Sequence, residues 1–431
     1  MPRPSLLLSP LVLCLLASPA AAGNWPQWRG PNGDGVSAEK GLPLHWAEDK
    51  NVLWKCPLPG DGASTPAVWG DAVFVTCQKG EVLLLLKLRK ADGSVEWQRT
   101  VGSGTVRRGT TKPRGEQKFH NLHNLASPSP VTDGQLVVAH FGNGDLAAYD
   151  FEGKQLWKRN LQKDFGDYTI WWGHANSPVL YGDLVISVCM QDSLADLQEK
   201  AVDSYLVAHD KRTGELRWKT PRDTGAKAEE CDAYTTPILR QADGKTELVV
   251  MGGSRLDAYD PATGKRLWYV PGLKGNRTIT GPTAADGMIY ATCGMRRDLV
   301  AVRPQGTGEL PASAVVWKTR DSTPDTPCPV VWQGLLFVVS DDGIAQCFDA
   351  KTGEAKWKER LPGGCKASPL AADGRVYFVG LAGRFTVVSA SAAFERLADN
   401  RLDDEFIASP AVSDGKLFLR GRKALYCVGE R

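Results

Sequence analysis

Six histidines occur in the 431-residue chain, and four of them, His120, His123, His140 and His174, fall in turn-rich segments. His120 and His123 are three residues apart, and with His140 or His174 they would offer imidazoles for a zinc-like site. They lie in a loop with no His-Glu-x-x-His arrangement, which favours histidines that hydrogen-bond their own loops. The neighbouring pair Trp171 and Trp172 offers flat faces for a sugar or quinone ring, or packing at an element junction. Arginines recur in other turns as Arg277, Arg296, Arg297, Arg384, Arg420 and Arg422. A guanidinium fork suits carboxylates and phosphates, and the competing reading pairs it with a neighbouring Asp or Glu. No nucleophile elbow, phosphate loop, calcium-loop motif or paired-carboxylate signature occurs, so no catalytic residue or metal ligand is assigned. The candidate ligand-binding residues are His123, Trp171, Trp172, His174, Arg277, Arg296, Arg297, Arg384 and Arg420.

The elements that must position these residues are repeats. Ser129-Pro130, Asp133-Gly134, the run Asp145 to Asp150 and Gln155-Leu156-Trp157 set a template. It returns from Ser177-Pro178 to Trp218, from Thr236-Pro237 to Trp268 and from Cys328-Pro329 to Trp357. Weaker copies begin at Thr65-Pro66, Gly281-Pro282, Ser368-Pro369 and Ser409-Pro410, which makes eight. Each unit reads as four short strands joined by Gly-containing tight turns. A lone four-stranded sheet cannot bury both faces, whereas sheets stacked around an axis can. The fourth run of each unit ends in Trp at 54, 97, 157, 218, 268, 317 and 357, and unit seven has Leu397 in that place. Asn51 to Cys56 reads as a fourth strand without a first three, and Ser409 to Val428 as three strands without a fourth. The expected fold is all-β: a single eight-bladed β-propeller of four-stranded antiparallel blades, closed by an N-terminal strand in the last blade. The candidate residues then fall on loops at one end of the central channel, as an aromatic and cationic rim.

The Trp-terminated repeat resembles the quinoprotein propeller. The opening Trp25-Pro26-Gln27-Trp28-Arg29-Gly30, with Asn51-Val52-Leu53-Trp54, is similar to the entry segment of exported PQQ-binding-like proteins of planctomycete-type bacteria. That family is often called BamB-like, after the barrel-assembly lipoprotein, and the resemblance covers essentially the whole mature chain. It implies a docking Trp set against each neighbouring blade. Two departures separate this chain from its namesakes: it has no adjacent cysteine pair of the kind quinoprotein alcohol dehydrogenases carry, and no lipid-modified Cys after a signal.

Composition narrows the function. A formal charge of +3, from 52 Lys+Arg against 49 Asp+Glu, excludes a polyanion binder held by bulk charge, so no nucleic-acid partner is expected. The basic loop Arg107, Arg108, Lys112, Arg114 and Lys118 reads as a solvated insertion, and Ser193 to Lys200 as a short helical turn. Residues 1–22 have a basic start, an apolar core and small residues at Ala20 and Ala22, which reads as a secretory signal. The core is too short for a membrane span, which needs about 20 apolar residues. The expected organisation is signal peptide 1–22, entry segment 23–50 and propeller 51–431. The expected location is periplasmic or extracellular, and the expected state monomeric. The nine cysteines left after the signal leave at least one thiol unpaired. The functional expectation is a non-catalytic scaffold of the cell envelope, without a cofactor, that binds a small anionic or polyhydroxylated ligand or a protein partner. The resemblance supplies two alternatives: a dehydrogenase using pyrroloquinoline quinone (PQQ) with calcium, and a BamB-like outer-membrane protein assembly factor.

Overall fold

Alternating apolar runs and tight turns produce eight antiparallel sheets arranged as one ring. The computed structural model describes residues 23–106, 119–191 and 203–430. The expected signal, the basic loop from Arg107 to Lys118 and the turn at Ser193 to Lys200 lie outside the described residues. Blade 1 comprises Ala67–Trp69, Ala72–Lys79, Val82–Arg89 and Val95–Ser103, from the channel outward. Blades 2 to 7 repeat the pattern, starting at Val131, Val179, Ile238, Thr283, Val330 and Leu370. Blade 8 takes Ala411–Ser413, Lys416–Arg420 and Ala424–Val428, and its outer strand is Val52–Pro57 from the other end of the chain. That strand runs antiparallel to Ala424–Val428, with Val52 opposite Val428 and Pro57 opposite Ala424. Helix is confined to Leu161–Phe165 and two 3-10 turns among the described residues.

The first hairpin of several blades is a two-residue turn with both centres at positive φ. Asp286-Gly287, Gln333-Gly334, Asp373-Gly374 and Asp414-Gly415 share this geometry, which matches the right-handed twist of the flanking strands. It is why Gly follows Asp or Gln at these places.

Neighbouring blades are joined by the repeated Trp. The indole N–H of Trp54 donates to Lys90 O at 2.9 Å, Trp97 to Phe151 O at 2.8 Å, and Trp157 to Lys211 O at 2.8 Å. Trp218, Trp317 and Trp357 do the same to Pro261, Ala350 and Ser391. Trp268 departs, donating to Glu247 Oε1. Each acceptor in the first six lies in the outer hairpin of the next blade, and against Trp54, Trp157, Trp218 and Trp317 a glycine of that hairpin lets the ring approach. A Cβ on Gly214 would lie 2.7 Å from the Trp157 ring, and its φ is +72. Gly214→Ala is therefore expected to cost about 2 kcal/mol from positive φ and crowding together. A denaturant midpoint unchanged from the parent would refute this docking account.

In blade 7 the register differs from the sequence expectation. Its outer hairpin is one residue longer, and the bulge that every blade shares at this point sets Ala398, not Leu397, opposite Val387 where the other blades have Trp. Ala398 is too small to dock, and Trp46 of the N-terminal segment supplies an indole to the same cluster. It stacks on Tyr377 with centroids 6.5 Å apart and meets Phe385 edge-on at 5.4 Å. The Trp46 backbone N–H is held by Asn400 Oδ1 at 2.8 Å.

Candidate functional site

The N-terminal segment closes one end of the channel. Trp25 pairs with Val68 of the first blade through two 2.8 Å backbone bonds. Pro26 O accepts from Thr132 N of blade 2, and Val36–Ser37 pair in parallel with Ala371–Ala372 of blade 7. Between these pins Arg29 is buried. Its Nη1 donates to Thr283 Oγ1 at 2.8 Å, and its Nη2 to Asp34 O at 2.6 Å and to Pro329 O. Trp28, beside this guanidinium at 5.6 Å, reaches under Gly281, where a Cβ would stand 3.0 Å from the indole. The segment has no repeat pattern, so its path is fixed by these long-range contacts alone.

Above Trp28 opens a cavity of about 640 Å³. Its wall is largely apolar: Leu122, Trp172, Ala175, Tyr234, Ile279 and Ile407. Hydroxyls of Ser129, Ser177, Thr236, Ser368 and Ser409 also line it, one from each of five blades. These are the residues before the repeated prolines, and they bind the ring together. Thr65 N–H donates to Ser129 Oγ, Ser129 N–H to Ser177 Oγ and Ser177 N–H to Thr236 Oγ1, at 2.9, 2.9 and 3.0 Å. Gly281 N–H donates to Cys328 Sγ, Cys328 N–H to Ser368 Oγ and Ser368 N–H to Ser409 Oγ. Among the described residues these bonds join six of the eight junctions, and are missing between blades 8 and 1 and between blades 4 and 5, where Gly281 offers no side chain and Trp28 intrudes.

The charged groups of the wall neutralise one another. Arg277 lies 3.3 Å from Asp325 Oδ2 and 3.4 Å from Glu229 Oε1. Lys366 meets Asp341 Oδ1 at 2.7 Å, and Asp341 Oδ2 accepts the Asp325 and Thr326 backbone N–H groups. Burial pushes the Asp325 carboxyl up to about 6, against the pull of Arg277 and with added repulsion from Asp341. Its Oδ1 is buried without a partner. A carboxyl whose pKa is raised on folding binds its proton more tightly in the folded chain. Its contribution to stability is therefore full in acid and is lost as pH rises towards about 6. The stability of Asp325→Asn relative to the parent is thus expected to improve between pH of about 4 and about 7. Denaturant midpoints whose difference does not change with pH would refute it.

Of the candidate residues, the fold brings His123, Trp172 and Arg277 to the cavity. His123 Nδ1 is 2.5 Å from Ser127 Oγ, and its Nε2 is 3.2 Å from Gly173 O. Trp172 donates its indole N–H towards Glu229 Oε1 at 3.4 Å, and its backbone N–H to Tyr234 Oη at 2.9 Å. Trp171, His174, Arg296, Arg297, Arg384 and Arg420 are not among the lining residues. The Trp171 backbone N–H is held by Asp232 at 2.7 Å. His174 is buried, stacked on Tyr168 at 4.8 Å and beside His140 at 4.7 Å. Burial holds the His174 imidazole well below its ordinary range and that of His140 at about 4, so both are neutral packing groups. Arg296, Arg297 and Arg384 are exposed. Arg420 is buried at the seam between blades 8 and 1, on Ser64 and Cys77. The sequence reading missed Trp28, Tyr234, Asp325, Lys366 and the five hydroxyls as lining groups. The residue before each repeated proline was the available signal, read there only as punctuation.

PQQ with calcium makes a definite demand on this donor set. Calcium takes six to eight oxygens, several of them carboxylate. The cavity lining contains one carboxylate, Asp325, which is engaged with Arg277. No group of three or more His, Cys, Asp or Glu suited to a metal occurs among the described residues. The nine cysteines described are all free thiols, and no two are adjacent in the chain. These residues do not fit a quinone–calcium pair.

The fold and cavity define an eight-bladed, tryptophan-docked propeller whose channel is plugged at one end and open as a cup at the other. The family described as outer membrane protein assembly factor BamB matches residues 36–195, 202–310 and 308–394, and the chain belongs to that family. BamB of Burkholderia pseudomallei (strain K96243) is 23% identical over 320 residues, 72% of this chain and 69% of that protein. Among solved structures, BamB from Moraxella catarrhalis has a TM-score of 0.59 at 14% identity, over 87% of this chain and 98% of that one. The quinohemoprotein alcohol dehydrogenase from Comamonas testosteroni has a TM-score of 0.62 at 13% identity, over 95% and 81%. At these identities the structural likeness shows the fold alone.

Proposed function

We propose that this chain is an exported propeller of the cell envelope that binds and does not catalyse, holding a small polyhydroxylated ligand in the cup above Trp28. The observation that carries this reading is the charge balance of the wall. Arg277 and Lys366 are spent on Asp325, Glu229 and Asp341, so an anion finds no free fork, while Trp28, Trp172 and Tyr234 leave apolar faces open. A sugar-like molecule, with C–H faces and many hydroxyls, suits that mixture. The basic-apolar pattern of residues 1–22 and the outer-membrane role named in the family description support the envelope location. Calorimetric titration of the mature protein with neutral sugars and their phosphates tests the reading. Saturable binding of a neutral sugar, weakened by Trp172→Ala, is expected, and a clear preference for the phosphates would sink it.

Membership of the BamB family favours a second reading, a protein partner in the envelope engaged by the outside of the same ring. Crosslinking in intact cells followed by identification of the captured chains tests it, and capture of no envelope protein counts against it. Turnover of alcohols or aldoses after adding PQQ and calcium would overturn the non-catalytic reading.

A further inference from the structure

The five pre-proline hydroxyls among the residues that line the cup have an unequal hydrogen-bond position. Each oxygen of Ser129, Ser177, Thr236, Ser368 and Ser409 already accepts the backbone N–H of the preceding blade. A hydroxyl that accepts in this way still has one O–H to donate. Among the described residues no protein acceptor takes these five hydrogens, and all five side chains line the cup. The donors are therefore presented to whatever enters. They lie on blades 2, 3 and 4 and on blades 7 and 8, separated by Gly281 and Cys328 on blades 5 and 6 and by blade 1, whose Thr65 is not among the lining residues.

We propose that this hydroxyl arc is the recognition element of the cup and selects a neutral ligand that presents hydrogen-bond acceptors at its buried end, the hydroxyl or ether oxygens of a polyol. The inference rests on the cup-binding reading above and names which atoms read the ligand. Charge selects in the same direction. The two cations of the wall, Arg277 and Lys366, are already engaged by Asp325, Glu229 and Asp341, so a full negative charge finds no free partner. A cationic head meets donors where it needs acceptors. A buried donor left without a partner costs more than an average hydrogen bond gains, which makes the arc a discriminating element.

Blade 6 supplies the substitution that tests it. Cys328 fills the serine position and still accepts the Gly281 N–H through its thiol, so Ser→Cys preserves the ring while replacing a strong donor with a weak one. Phenyl β-D-glucopyranoside is the probe, titrated calorimetrically against the full mature chain. The Ser177→Cys/Ser368→Cys variant is expected to bind it about tenfold more weakly with its melting temperature retained. As a second measurement that needs no variant, at least one deoxy analogue of the probe should lose a similar factor on the parent protein. Phenyl β-D-glucuronide, which adds a carboxylate, should bind more weakly than the glucoside. Equal affinity in parent and double-Cys protein, no loss with any deoxy analogue, or tighter binding of the glucuronide would each overturn the arc. If Trp172→Ala weakens the probe while the double-Cys variant does not, the arc falls and the cup stands. No saturable binding to the parent overturns both.

Discussion

Replacing Arg420 with alanine is expected to lower the unfolding free energy by about 3 kcal/mol, the largest loss predicted for any single residue of this chain. The guanidinium is buried where the last blade meets the first, beside the blade that the two ends of the chain close together. Its Nη1 donates to the carbonyl and hydroxyl of Ser64, and its Nη2 reaches Cys77 Sγ at 3.6 Å. Burial holds its pKa down, opposed by Cys77 and Asp61. Gly62 passes so close that a Cβ there would collide with the guanidinium. Alanine would leave the Ser64 groups without that donor and a cavity in its place, while Trp54 on Lys90, the Lys90–Asp414 pair and the Arg422–Asp61 pair still cross the junction. Arg384→Ala, by contrast, removes an exposed side chain and should change nothing measurable. Guanidinium chloride midpoints for the two variants decide the matter. Equal midpoints would mean that Arg420 does not clasp the ring.

The contrast between Arg420 and Arg384 also shows where sequence reasoning stops. Both flank the turn between the second and third strands of a blade: Arg420 ends Lys416–Arg420, and Arg384 begins Arg384–Ser389. Strand side chains alternate between faces, so a step of one residue exchanges core for solvent. A turn-rich sequence does not fix that step. The same limit explains Leu397: the outer hairpin of blade 7, closed from Ser389 N to Glu395 O, is one residue longer than those closed from Asp210 to Glu215 or Asp349 to Glu354, and that puts Ala398 in the docking place. What was legible was whatever repeats. The docking tryptophans, the glycine turns and the orphan strand before Cys56 recur eight times or visibly fail to, and together they specify the ring. The cup is made largely of what does not repeat: an aperiodic segment carrying Trp28 and Arg29, and the loop residues Tyr234, Asp325 and Lys366. Their positions depend on contacts between residues hundreds of places apart, such as Arg29 with Pro329.

Trp28→Ala is expected to reduce affinity for a sugar-like probe about thirtyfold, roughly 2 kcal/mol, while leaving the ring folded. The indole forms the floor of the cup and lies against Gly281, the one position in the pre-proline series without a side chain. Deleting it removes a stacking face and lets water reach the hydroxyl arc from below, where the probe's oxygens must then compete. Folding should suffer much less, because the segment is pinned on both sides of Trp28. Trp25 keeps its two bonds to Val68, and Arg29 keeps Thr283 and Asp34. Gly281→Ser is the informative companion. It would add the missing hydroxyl but crowd the indole, since a Cβ there stands 3.0 Å from the ring, so it should weaken binding by displacing Trp28. Joined to Trp28→Ala, the serine has room, and the double variant should bind no worse than Trp28→Ala alone. Titration of the three proteins checks the set. Parent-like affinity in Trp28→Ala would show that the probe does not rest on this floor, whatever the hydroxyl arc does.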